Sequence, residues 1–172
     1  MPLKRLFWVF LLLWVATGIA LEVINGHLET AITPFGIISF EFCGFNDSCK
    51  AALDQWGQRG QLFAMLSLGI DYLYLLIYPG FFAISILLLQ RRIKLNFIPP
   101  ESLVILACLM MSLTDAIENY GLIQIVLYGP QSSFPMLSGI FASIKFAVFF
   151  VVLLWLLYLL VRNFLLRSIR RT

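Results

Sequence analysis

Apolar residues fill four stretches of this chain, at 6–24, 62–89, 103–127 and 136–161, while polar residues collect in one long segment, 25–61, and two short connections. A hydrocarbon layer about 30 Å thick is crossed by roughly 20 apolar residues in a helix, so each stretch is long enough to span it. The fold expected is an all-α polytopic membrane protein, a four-helix transmembrane bundle forming a single membrane domain over residues 1–172. Inside the apolar stretches the polar residues return at helical intervals. Ser67, Asp71, Tyr74 and Tyr78 follow i, i+4, i+7, i+11 spacing; Asp115, Glu118 and Asn119 follow i, i+3, i+4; Gly18, Glu22, Asn25 and Glu29 step by 4, 3 and 4. Residues so spaced share one helix face, and the fourth stretch adds Lys145, with the small Gly139 and Ala142 on its approach.

A rise of 1.5 Å per residue puts Asp115 ~18 Å from one end of its span, and Asp71 and Lys145 ~13 Å from the other end of theirs. Charges at the bilayer centre cost about 2.5–3.5 kcal/mol each on insertion scales and are turned inward. The candidate ligand, ion or proton site is therefore Asp71, Asp115, Glu118, Asn119 and Lys145, with Tyr74 and Tyr78 beside them. Glu22, Asn25 and Glu29 form the expected outer vestibule, and His27 lies off that face. Lys145 is the obvious counter-ion, yet three acids against one lysine leave two negative charges unmatched. At least one carboxyl is then expected to hold a proton, or a bound cation to complete the site. Pro79 and Gly80, just after Tyr78, predict a kink that frees a backbone carbonyl.

Composition agrees with this pattern: 61% of residues are hydrophobic and 12% charged, and mean hydropathy is +0.94, far from a soluble average. The basic residues sit in short blocks at Lys4 and Arg5, at Arg91, Arg92 and Lys94, and at Arg162, Arg167, Arg170 and Arg171. Four spans put all three blocks on one side, so the positive-inside rule places both termini in the cytoplasm, with the plasma (inner) membrane as the expected location. No basic stripe interleaved with exposed aromatics is present, and no nucleic-acid partner is expected. The first twenty residues also read as a secretory signal peptide. Bulky Trp8 and Trp14, and the polar stripe that continues past the cut near Ala16 and Ala20, favour a retained span.

In the outer segment, Pro34 and Gly36 predict a turn. Asn46, Asp47 or Ser48 is the expected cap of a short helix running through Trp56 and ended by Gly57 and Gly60. Its Ala52, Leu53 and Trp56 form a face suited to the headgroup boundary. Cys43 and Cys49 are a candidate disulfide if the outer compartment oxidises, and two free thiols otherwise. Their C-x5-C spacing is not the C-x-x-C of redox motifs. With one histidine and no H-E-x-x-H, G-x-S-x-G or phosphate-binding loop, other enzymatic signals are weak; no metal site is expected, and the cofactor, like any catalytic residue, is left open.

LGIDYLYLLIYPGFF (68–82) and LTDAIENYGL (113–122), with ITPFGIISFEF in the outer segment, resemble a group of small, mostly bacterial four-span membrane proteins of no known activity. In that group an Asp-aromatic motif marks span 2 and D-x-x-E-N marks span 3, so the resemblance implies the architecture. A weaker likeness is to the sterol isomerase and sigma-2 receptor family, where intramembrane acids bind an amine or stabilise a carbocation; Lys145 departs from that pattern. Claudin-like junction proteins share the topology and an outer Cys pair, but their G-L-W motif is absent here.

The leading functional expectation is binding or translocation of a small ligand, lipid, cation or proton at the acidic site. Membrane lipid, a small lipophilic ligand or a cation, or another membrane protein, would be the partner. The alternative is a non-catalytic structural or assembly subunit in which the same groups hold helices in register. A third reading is an intramembrane hydrolase or isomerase using two aspartates, although the flanking motifs of lipoprotein signal peptidase are missing around Asp71 and Asp115.

Overall fold

The computed structural model describes residues 3–91, 99–130 and 133–169, with side chains as far as residue 165. Arg92, Lys94, Arg170 and Arg171, and the side chain of Arg167, lie outside the described part. Among the described residues every regular element is a helix and there is no strand. Helix α1 spans Leu3–Asn25, a short α2 spans Ile37–Glu41, α3 spans Cys49–Gln90, α4 spans Glu101–Tyr128 and α5 spans Phe134–Ile169. A single 3₁₀ turn, Cys43–Phe45, follows α2. Three helices, α1, α3 and α5, are long and apolar enough to cross a membrane. Helix α4 packs along both α3 and α5, while α1 packs along α3. Large apolar side chains such as Leu12, Leu76, Leu109 and Val151 stand exposed on the outside of the bundle.

The interior divides into two apolar cores. One gathers Leu75, Phe81, Phe82, Ile86, Met111, Val152 and Leu159. The other gathers Leu28, Phe40, Ala52, Trp56, Ala64, Leu68, Leu122 and Ile125 near the end where α1 stops and α5 starts. On α3, Asp71 falls between Leu68 and Leu75; on α4, Asp115 and Glu118 fall between Met111 and Leu122. The polar stripes thus occupy the layer between two greasy layers.

Small residues set the closest helix approaches. A side chain at Gly80 would collide with the ring of Phe10 from α1, and one at Gly121 with the hydroxyl of Ser138 from α5. Helix α1 is further fixed by Trp14, whose Nε1 donates to the Tyr74 hydroxyl at 2.8 Å and whose ring stacks on Phe81 at 4.8 Å.

Pro79 lies inside α3 and cannot donate to the carbonyl four residues back. That carbonyl, of Leu75, instead accepts from the Ser112 hydroxyl of α4 at 2.7 Å. The freed carbonyl expected at Pro79 thus has a partner across helices, while the non-helical backbone inside α3 lies at Gly57 and not at Pro79. Ser112→Ala is expected to cost about 1–3 kcal/mol by leaving a polar group unpaired. In a Pro79→Ala background, where the helical bond can close, the same change is expected to be nearly neutral. Denaturant titrations of the four proteins of this cycle measure it.

The outer segment corrects several expectations. Ala52, Leu53 and Trp56 are buried in the second core and do not rest on a headgroup surface. The chain 28–45 folds back over them: Phe40 packs 4.8 Å from Trp56, and Trp56 Nε1 donates to the Leu28 carbonyl at 2.8 Å. Gly57 does end the first helical segment, with φ 57° and ψ −170°, but helix resumes at once and carries Gly60 inside α3. The space a Gly60 side chain would take is filled by Trp56. Ser48 holds the cap position without a side-chain cap bond; its hydroxyl donates to Asn46 Oδ1 at 2.6 Å instead.

Candidate functional site

A strap crosses the end of the bundle and carries a residue absent from the expected site. Gly36 takes φ 56° with the Asn25 side chain packed where its own Cβ would stand, so only glycine suits the turn. Asn25 Oδ1 accepts the Ile37 N–H at 2.9 Å and thereby satisfies a free donor at the start of α2. Beyond α2, Cys43 and Cys49 are joined in a disulfide. A side chain at Gly44 would run into the Pro135 backbone, and Gly139 leaves room for the ring of Phe45. Phe42 stacks on Phe146 of α5 at 5.8 Å. The strap is thus pinned to α1 at one end and to α5 at the other, and α2 delivers Glu41 to the interior.

Lys145 is the hub. Its Nζ stands 2.8 Å from Glu118 Oε2, 3.2 Å from Asp115 Oδ1 and 3.5 Å from Glu41 Oε2. An ammonium has three donors, and here three carboxyls from α2 and α4 surround it. Asp115 also accepts from the Tyr78 hydroxyl at 3.1 Å. All four groups are buried, Glu118 completely. Asp71 lies outside this lysine cluster; its Oδ2 accepts from Asn119 Nδ2 at 2.6 Å. Rotation about the helix axes gave Asp71 an amide as its nearest partner. The Glu41 Oε2 atom is buried without a hydrogen bond.

These groups line a partly open cavity of about 320 Å³. Its walls include Glu22 and Asn25 from α1, Glu41 from the strap, Asp71, Tyr74 and Tyr78 from α3, Asp115 and Asn119 from α4, and Lys145 from α5. The structure therefore brings together most of the expected site and two members of the expected vestibule. Glu29 is not among them: α1 stops at Asn25, so the helical step of four no longer applies, and Glu29 is exposed. His27 stacks on Phe63 at 4.2 Å, away from the cavity. Glu41 was missed because a short helix after a glycine turn has no periodicity to read. The available signal was its setting, a lone carboxyl in the run IISFEFCGF.

With Glu41 included, four carboxyls face one lysine. Burial pushes the Glu41 carboxyl above its ordinary 4.5, opposed by Lys145 and helped by Asp115. A folded-state pKa raised above the unfolded one means the folded chain keeps a proton that the unfolded chain has released. Its contribution to stability therefore falls as pH climbs above 4.5. Melts of the purified protein between pH 4 and pH 8 are expected to show this decline, and Glu41→Gln to flatten it.

Comparison with protein-family models, with curated proteins and with solved structures finds no match. Function has to be argued from the site itself.

Proposed function

We propose that this chain is a multi-pass integral membrane protein with four spans, α4 joining α1, α3 and α5. Both termini are cytoplasmic and the plasma (inner) membrane is its location. Its function on this reading is to bind or translocate a cationic ligand or a proton at the acidic cavity. The observation that carries it is the charge count: Glu41, Asp71 and Asp115 line one cavity and the fully buried Glu118 pairs with Lys145 beside it; Lys145 reaches three of these four acids, while among the described residues Asp71 has the Asn119 amide as its donor. Buried charge without a partner is costly, so the surplus is balanced by a proton or a bound cation. Asp71, on the cavity wall and outside the lysine cluster, is the docking carboxyl.

The second reading, a scaffold, is favoured by one observation: Lys145 ties α2, α4 and α5 together. A hydrolytic pair of aspartates gains no support, because Asp115 is engaged by Lys145 and Tyr78 and Asp71 by Asn119. Asp71→Asn separates the first two readings. The amide oxygen can still accept from Asn119, so folding is expected to change by less than about 1 kcal/mol. Stabilisation by saturating organic ammonium, and pH-dependent proton uptake in proteoliposomes, are expected to disappear. Full retention of both would leave scaffolding as the function.

A further inference from the structure

The cavity's position between helices says where its ligand comes from. Helices α1 and α5 form opposite walls, Gly18, Leu21 and Glu22 on one side and Phe146 and Phe149 on the other, yet the two helices share no extended packing interface. At the end of the bundle the strap bridges this gap, through Asn25 to Ile37 on α1 and through Phe42 to Phe146 on α5. Deeper in, an aromatic rung links the two helices through α3: Trp14 on Phe81, Phe81 on Phe82, and Phe82 on Phe149. With the strap at one end and the rung at the other, the least packed side of the cavity among the described residues is the one between α1 and α5, two helices that we read as membrane spans. A Cβ at Gly18 would meet nothing within 4 Å, so the α1 side of that opening is empty space.

The chemistry of the walls selects the guest. One end offers the carboxyls of Glu22 and Asp71, both outside the Lys145 cluster that holds Glu41. The side opening is flanked by Leu21, Phe146 and Phe149, apolar side chains suited to the first methylenes behind an ammonium; the Phe146 ring already carries Lys145 Nζ, 5.0 Å from its centroid. A second cavity of about 350 Å³ lies between α1 and α5 below the rung; it borders Lys4 and has no acid in its walls, so it offers no seat for a cation.

We propose that the site takes a long-chain amphiphile with a cationic ammonium head, which enters from the bilayer between α1 and α5 and leaves its hydrocarbon tail in the lipid. The inference rests on the cationic-ligand reading above and adds the source and the tail. An ammonium on an apolar body can also come from water as a short amine, and the two sources are separable.

The test uses the full chain in nanodiscs of neutral phosphatidylcholine, with binding read by native mass spectrometry and by the melting temperature. Dodecylamine is expected to bind at one per chain, at least tenfold tighter than dodecanol, which lacks the charge, and than butylamine, which lacks the tail. Asp71→Asn is expected to weaken dodecylamine at least tenfold. Gly18→Phe, which fills the side opening from a position with free space, is expected to do the same while the ligand-free melting temperature stays unchanged. Leu12→Phe, on the exposed outer face, is expected to have no effect. Should Gly18→Phe itself lower the melting temperature, Gly18→Leu is the milder plug. Equal binding of butylamine and dodecylamine, indifferent to the plug, would overturn membrane entry and keep the cation site. Absence of binding by either amine would overturn both.

Discussion

Replacing Lys145 by methionine is expected to destabilise the folded chain by about 3–5 kcal/mol, the cost of breaking a buried ion pair by removing one partner. Methionine keeps most of the stem's volume, so the loss is electrostatic and not a cavity effect. It would leave Glu41, Asp115 and Glu118 buried around an apolar thioether. The check is a series of denaturation midpoints. Lys145→Met alone is expected to be the least stable, and Lys145→Met combined with Asp115→Asn and Glu118→Gln is expected to recover most of the loss, because uncharged amides need no counter-ion. If the triple variant were no more stable than the single one, the charge balance at Lys145 would not be what holds α2, α4 and α5 together.

That experiment bears on what the lysine does for function. A hub that already holds three carboxyls is unavailable to a ligand, so a guest must be recognised by the groups left over. Asp71 and Glu22 are those groups, and both reach the cavity from outside the cluster. The cluster therefore fixes the shape of the site, and Asp71 supplies its free affinity.

How much of this could be read in advance follows from which quantities a helix fixes locally. Period is local, so the faces carrying Asp71, Tyr74 and Tyr78, and Asp115, Glu118 and Asn119, were legible. Partner choice across helices depends on packing rotation, which no single helix encodes; Lys145 was the expected counter-ion, but which acids it pairs with was not legible from spacing. Extrapolating a stripe past a helix end fails for the same reason, as Glu29 shows. Glu41 needed three non-local facts at once: the Gly36 turn, the Asn25 anchor and the seat of Gly44 against Pro135. Each is a contact between segments, and the run ITPFGIISFEF reveals none of them alone. The cysteine pair was half legible, since spacing allows a bridge that only geometry can establish.

Trp56→Ala is expected to cost about 3–5 kcal/mol, the range for emptying a large aromatic site in a core, and to act on the polar cavity from a distance. Trp56 touches no cavity atom named above; it holds the start of the strap through the Leu28 carbonyl and Thr33 Oγ1 and supports Phe40, the residue before Glu41, from below. Losing it removes the floor on which α2 lies, so Glu41 is expected to leave Lys145. Two readings of this tryptophan then separate cleanly. A headgroup anchor replaced by alanine would change membrane partitioning and leave the melting temperature nearly constant. A core strut replaced by alanine lowers the melting temperature and also erases the pH dependence attributed to Glu41, because a carboxyl released to water returns to its ordinary range. Trp56→Phe refines the test: it keeps the ring and drops only the indole donor, so a loss of about 1–3 kcal/mol is expected for the unpaired acceptors. The pH dependence should survive in Trp56→Phe if packing under Phe40, more than the hydrogen bond, is what keeps Glu41 inside.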